Sequence, residues 1–187
     1  MEEEKEFKGM ISSETYRELS FREWDKEIIQ TNFYYTNSQF IDTNLITIRV
    51  RCIHSQFFLQ VKMKHNMSNG VRISREYEQE LSSVPKLITE DTIRNLCNDV
   101  YTCGDVKLMG FLVTQRKIKQ VIDVEIALDR NMYAGKTDYE IEFEYKNGIE
   151  DVNELISKMK LSNQLHIGKG KFERFKERLK VLSNGVD

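Results

Sequence analysis

Cysteine, histidine and proline are scarce in this chain, and neither sign of charge is in clear excess. Cys52, Cys97 and Cys103 stand far apart with no CxxC pair among them. That excludes a thiolate zinc framework and reads as reduced intracellular thiols. His54, His65 and His166 are equally dispersed, so a zinc centre has no ligand set. One proline, Pro85, and nine glycines leave no room for a Pro-rich linker. No low-complexity stretch and no repeat of about 20–50 residues is present. Against 30 acidic residues stand 28 basic ones, a net charge of −2. A general nucleic-acid or membrane-surface binder would need a basic excess, so neither partner is expected. No apolar run approaches the roughly 18 residues of a membrane span, no signal-peptide core follows Met1, and no GxxxxGK[ST] loop occurs. These absences leave a cytoplasmic protein, and 187 residues suit one domain, 1–187, with its own core.

What the chain does contain is strand after strand. After EEEKEFKG at the start, Ser12-Ser13-Glu14 offers a helix cap, and Tyr16, Leu19, Phe21 and Trp24 give an apolar helical stripe read as core. Strand character follows at 28–37, 45–54, 57–65 and 71–81, with Asn66-Met67-Ser68-Asn69-Gly70 suited to a hairpin turn. A helix is expected over 89–100, capped by Thr89 or Asp91. Strands are expected at 107–117, 120–129 and 139–146, and helices at 149–161 and 172–182. Hairpin-length links favour an antiparallel sheet, an α+β but mainly β chain whose eight or so strands could close into a barrel or tunnel with flanking helices.

The polar half of these strands is unusual because each is nearly single-signed. Glu4 and Glu6 precede Lys8; Arg49 and Arg51 sit in ITIRVR, Lys62 and Lys64 in LQVKMK, and Glu76 and Glu78 in REYE. Arg116 ends LVTQR, Asp129 ends EIALD, and Glu140, Glu142 and Glu144 alternate in YEIEFEY. The intervening positions are largely apolar, which fixes the register, since a slip of one residue would bury the charges in the core. On a single strand the pattern also suits a solvated face with cross-strand ion pairs. If the sheet closes with the charged faces inward, carboxylates and cations share one cavity. Carboxylates there suit a hard divalent ion such as Mg²⁺ or Mn²⁺, and Arg and Lys rows suit a polyanion. Together they point to metal-assisted chemistry on a polyphosphate.

Glu4-Lys5-Glu6-Phe7-Lys8 reads as ExExK, and this resembles the signature of the CYTH superfamily, the triphosphate tunnel metalloenzymes. ITIRVR and LQVKMK resemble the family's LRIR and LTLK strands, and MGFLVTQR its G-x-L-x-T-x-R strand. ALDRNMYAGKTDYEIEFE is similar to the bacterial LDxNxYxGxxDYELExE run, and KFERF to the closing K-x-x-R-F. The resemblance implies an eight-stranded antiparallel β-barrel forming a charged tunnel. It implies metal-facing carboxylates at Glu4, Glu6, Asp129, Glu140 and Glu142, with Mg²⁺ or Mn²⁺ as cofactor. It implies that Lys8, Arg49, Arg51, Lys62, Lys64, Arg116, Lys171 and Arg174 hold a triphosphate-bearing small molecule or inorganic polyphosphate. Glu76 and Glu78 match an acidic pair of less certain duty, whereas Glu2 and Glu144 are read as solvated. Where relatives read Y-F-D-T-P, this chain has Tyr34-Tyr35-Thr36-Asn37-Ser38, which lacks the Asp; Tyr34 is read as core or as the partner of a lysine base.

The expected activity is metal-dependent hydrolysis of inorganic, thiamine or nucleoside triphosphate. Lys8, Lys62 and Lys64 are the catalytic lysines, with Lys62 or Lys64 the base, because a lysine among cations has its pKa depressed. Cyclisation of ATP, as in class IV adenylyl cyclases, and non-catalytic polyphosphate binding are the alternatives.

Overall fold

The computed structural model describes residues 2–38, 45–68, 71–100, 103–146 and 149–185. Its strands are β1 (Glu2–Ile11), β2 (Lys26–Thr36), β3 (Ile46–Ile53), β4 (Gln56–Ser68), β5 (Val71–Leu81), β6 (Leu87–Ile88), β7 (Val106–Val121), β8 (Val124–Tyr133) and β9 (Lys136–Tyr145). The helices are α1 (Ser13–Ser20), α2 (Glu90–Leu96), α3 (Ile149–Lys158) and α4 (Lys171–Asn184). The sheet order is β2-β3-β4-β5-β1-β9-β8-β7-β6, and pairing of β2 with β7 closes it. Eight strands, all antiparallel to their neighbours, therefore form a closed barrel, with the two-residue β6 appended to β7.

The apolar core lies outside this barrel. Ile48 and Val50 of β3, Leu59 and Val61 of β4 and Tyr77 of β5 point outward and pack with Ile93 and Cys97 beneath α2. On another flank, Ile126, Leu128, Ile141 and Phe143 meet Leu19 of α1 and Val152 and Ile156 of α3. Each such fully buried aliphatic side chain contributes about 1.5–3 kcal/mol. That apolar drive on the outer face forces every second residue inward and holds the charged set in the lumen.

Local chemistry sets the connections. Ser12 caps α1 by accepting from the Thr15 backbone N–H at 3.1 Å, and Thr89 caps α2 in the same way. His54 and Ser55, both at positive φ, form the two-residue link between β3 and β4. Gly110 of β7 lies where a Cβ would meet Phe175 of α4 at 2.9 Å, so glycine there admits the helix. Phe172 and Phe175 of α4 then pack with Tyr34, Leu112 and Tyr133. β4 is irregular between Lys64 and Asn66, and the β2–β7 register shifts between Tyr34 and Tyr35.

Some expectations need correction. β7 runs unbroken to Val121 instead of stopping at 117, because Lys117 and Lys119 pair outward with Glu27 and Asp25 and no turn former interrupts them. α1 ends at Ser20, and Phe21 is 84% exposed, not core. Trp24 instead folds back, its Nε1–H donating to the Leu19 carbonyl at 3.0 Å. Residues 69 and 70 of the expected hairpin turn, and the side chain of Glu2, lie outside the described residues.

Candidate active site

The inward positions enclose a cavity of about 210 Å³. β1 contributes Glu4, Glu6 and Lys8, β3 Arg49 and Arg51, β4 Lys62 and Lys64, β5 Arg72 and Glu76 and β7 Arg116. β8 and β9 add Glu125, Glu142 and Glu144, and α4 closes the wall with Lys171 and Phe172, preceded by Gly170. Asp129 and Glu140 are buried just behind that wall.

Asp129, Glu140 and Glu142 each bring an oxygen within 4.8 Å of the others. The Lys171 ammonium already sits among them, 2.8 Å from Asp129 and from Glu142 and in contact with Glu140. Arg116 grips Asp129 through two bonds, Nε to Oδ1 at 2.8 Å and Nη2 to Oδ2 at 2.7 Å, and also reaches Glu142. Arg174 reaches Glu140 at 2.9 Å and forks onto Asp138, which also accepts from the Tyr133 hydroxyl at 2.5 Å. Burial alone would raise the carboxyls, but the cations outweigh it. Lys171 and Arg174 bring Glu140 down to about 2, and Lys171, Lys8 and Arg116 hold Glu142 well below its usual range. This side of the lumen is saturated with ion pairs.

The neighbouring carboxylates on β1 and at the end of β9 are less well served, although Lys8, 3.1 Å from Glu142, links the two groups. Glu4 pairs with Lys62, which also sits 2.8 Å from Glu76. Burial nevertheless pushes the Glu4 carboxyl up, helped by the like charges of Glu76 and Glu6. Glu6, 3.3 Å from Lys8, stays below its usual value because Lys8 and Lys62 overcome its burial. Glu144, read from the sequence as solvated, is exposed, and it also lines the cavity two residues beyond Glu142 on β9. Withdrawal from water, with Glu4 and Glu125 close by, pushes it up to about 7. Glu76 falls to about 2, since Arg49 and Lys62 offset its burial. Exposed Glu78 accepts from the Gln60 amide at 2.5 Å, and Gln60 in turn accepts from Arg49 at 2.7 Å.

The cations differ as sharply. Lys62, ringed by Glu6, Glu76 and Glu4, holds its proton more tightly than a free lysine despite burial. The depression expected at Lys62 or Lys64 appears at Lys64 alone, which burial, Arg72 and Lys8 bring down to about 8. Arg51 donates to Asn32 at 3.1 Å, forms no ion pair among the described residues, and is lowered to about 9 by burial, Arg49 and Arg116. Tyr34 is buried and stacked on Phe172 at 4.9 Å, and it also lines the cavity, so it belongs both to the packing beneath α4 and to the lumen wall. Thr36, which stands at the Asp position of that run, donates its hydroxyl to the Asn37 carbonyl at 3.3 Å, and the Asn37 amide ties β2 to the carbonyls of Cys103 at 2.6 Å and Asp105 at 3.1 Å.

All the site residues named from the sequence converge on the lumen or its immediate wall. Arg72, Glu125 and the inward role of Glu144 were missed. Arg72 has the same parity on β5 as Glu76, and Glu125 the same parity on β8 as Asp129. A strict count of alternation would have found both.

The CYTH domain matches residues 2–175 of this chain. The chain is 26% identical over 148 residues to "Putative triphosphatase YjbK" of Bacillus subtilis (strain 168), covering 74% of this chain and 75% of that one. Among solved structures, a "putative adenylate cyclase" from Bacillus halodurans superposes with TM-score 0.67 at 24% identity, covering 94% of this chain and 99% of the other. The Hippeastrum protein "putative adenylyl cyclase HpAC1", described as having a dominant triphosphatase activity, gives TM-score 0.71 at 19% identity, over 93% and 95% of the two chains.

Proposed function

The chain belongs to the CYTH domain family, and from that premise we propose that it is a divalent-metal-dependent triphosphatase acting inside the barrel. The observation that carries this reading is a closed lumen where cation rows face carboxylates around one cavity. YjbK's name and the activity described for HpAC1 support the same direction. Polyanion binding falls to Arg49, Arg51, Lys62, Lys64, Lys8 and Arg116, whose guanidinium forks match phosphate oxygens.

An oxygen-only donor set suits Mg²⁺ or Mn²⁺. Glu4 and Glu144 keep their protons above the usual carboxylate range, chiefly through withdrawal from water and further through neighbouring carboxylates, and a divalent ion offsets both effects. Glu4, Glu6 and Glu144 would hold the ion, with Asp129, Glu140 and Glu142 occupied by Lys171. When bound, it supplies Lewis-acid polarisation and charge neutralisation at phosphoryl oxygens. Lys64 accepts the proton of the attacking water, its Nζ held partly neutral beside Arg72 and Lys8. Lys62, firmly protonated, stays a phosphate clamp.

The test is phosphate release from inorganic triphosphate, thiamine triphosphate and ATP, each with Mg²⁺ or Mn²⁺ and with product identification. Release of inorganic phosphate from at least one is expected, and Glu4→Gln should reduce it by about a hundredfold or more without changing the melting temperature. Appearance of a cyclic nucleotide with pyrophosphate would replace this reading by the cyclase one. Tight binding with no turnover would sink it.

A further inference from the structure

The amino end of α4 is buried at the lumen wall and carries no side-chain cap. Gly170 is its N-cap residue, at φ −66° and ψ 158°, and makes no capping hydrogen bond from a side chain. Gly170, Lys171 and Phe172 are all buried, and all three face the cavity. A helix start leaves its first N–H groups without intrahelical acceptors and carries the positive end of the helix dipole. Burying such an end beside cations, with no acceptor supplied, is costly unless an anion arrives.

Two further observations point to that anion. Arg72 is only 3% exposed and faces the cavity, yet makes no ion pair among the described residues. Its Nη2 donates to the Gly168 carbonyl at 2.6 Å, and its Nη1 lies 3.4 Å from where a Cβ on Gly170 would stand. Ser74, two residues along the same inward face, is fully buried, and its hydroxyl has no hydrogen-bond partner among the described residues. Ser74 stands opposite Lys64 on β4, whose Nζ is 3.6 Å from the same Gly170 position. Buried hydroxyls are rarely left unmatched. Acidic groups are also close: Glu173 in the first turn of α4 and Glu6 act on Lys64, Glu4 stands opposite Ser74 on β1, and Asp129, Glu140 and Glu142 are taken up by the Lys171 ammonium.

We propose that the amino end of α4, with Arg72, Ser74 and Lys64, is the seat of a terminal phosphoryl group of the substrate. This rests on the triphosphatase reading above. A terminal phosphoryl has three non-bridging oxygens and carries more charge than a bridging one. It can therefore accept from the helix N–H groups, Arg72 and Ser74 together. Apart from Phe172 and the Tyr34 ring stacked on it, the groups around this corner are cationic or polar, which favours a phosphate end over an organic group. Any organic part of the substrate points the other way.

Gly170→Asp tests this, because it supplies the missing cap and a tethered anion at once. Its Cβ meets only the ends of two flexible cationic side chains, so it fits sterically. The readouts are the melting temperature of the full chain and its upward shift on adding inorganic triphosphate, which needs no turnover. Gly170→Asp should melt no lower than Gly170→Ala, and its apparent affinity for triphosphate should fall roughly tenfold or more. A wild-type-like shift in Gly170→Asp overturns the proposal, as does a melting temperature below that of Gly170→Ala. Arg72→Met and Arg72→Lys give a second arm: the first should lose most of the shift and the second keep part of it, and equal shifts would count against the subsite. If triphosphate shifts the wild type but is never hydrolysed, the hydrolase reading fails and the subsite stands. If the wild type hydrolyses triphosphate and Gly170→Asp does so with an unchanged KM, the subsite alone fails.

Discussion

Lys171 and Arg51 are both cations on the inner wall of one barrel, and they keep opposite company. Lys171 sits amid Asp129, Glu140 and Glu142, with Arg116 and Arg174 completing the neutralisation. Arg51 has an amide partner, Asn32, and two other arginines close enough to lower it to about 9. The first arrangement balances charge within the fold; the second leaves positive charge uncompensated where water is scarce. A half-buried cation without an ion-pair partner is costly to hold, and under the proposed triphosphatase reading the Arg51 side of the lumen is where an external anion would be taken up. The Lys171 side instead fastens α4 to the barrel.

The largest expected effect breaks that contrast directly. Lys171→Met should strip the shared cation from three buried carboxylates and cost roughly 3–5 kcal/mol of stability, read by urea denaturation. Arg51→Met, of similar shape, should leave stability unchanged or raise it while weakening triphosphate binding. Equal destabilisation by the two substitutions would show that both cations serve the fold.

The same contrast marks what was legible in the sequence. Alternation revealed the strands and the inward charges because period two is a local property: ITIRVR and YEIEFEY announce their faces residue by residue. It could not reveal which charges pair, since Arg116 meets Asp129 through the register of the β7–β8 hairpin and Lys171 meets Glu140 only once α4 docks against β9. The five carboxylates read as one metal set therefore separate into a group held by Lys171 and a group around Glu4. The turn between β3 and β4 was legible as a two-residue gap, expected at 55–56 and found one residue earlier at His54-Ser55, both at positive φ. The uninterrupted β7 was missed because its outward lysines look like a loop until Asp25 and Glu27 are seen opposite them.

A smaller effect separates Lys62 from Lys64, two residues apart on one strand. Lys64 is lowered from 10.5 to about 8, so in that interval the unfolded chain binds the extra proton and stability rises with pH. Hydrolysis should likewise climb by about tenfold per pH unit below 8 and level off above it, if Lys64 is the base. Lys64→Met should flatten the profile, whereas Lys62→Met should weaken substrate binding and keep its shape. Identical profiles for the two variants would remove Lys64 from the reaction.

The smallest effect sits at Glu144, which has no ion pair of its own among the described residues while Lys62 and Lys8 are engaged by Glu4, Glu76 and Glu6. Its folded value of about 7 exceeds the ordinary 4.5, so between these the folded chain holds the proton that the unfolded one has lost. Stability from this group is thus present below pH 4.5 and fades as pH rises through 7. Glu4, Glu125 and Glu6 raise it and Lys62 opposes them, so a divalent cation arriving there competes with that proton. Mg²⁺ should consequently bind more tightly as pH climbs through 7, measured by calorimetry on the wild type. Glu144→Gln should bind Mg²⁺ more weakly and lose most of the pH dependence in that window. The Asp129–Glu140–Glu142 group offers no such dependence near neutrality, because Lys171, Arg116 and Arg174 have already driven Glu140 and Glu142 far below it. If Glu144→Gln keeps the wild-type pH profile, the ion resides with Lys171's carboxylates instead, and the two sides of the lumen exchange roles.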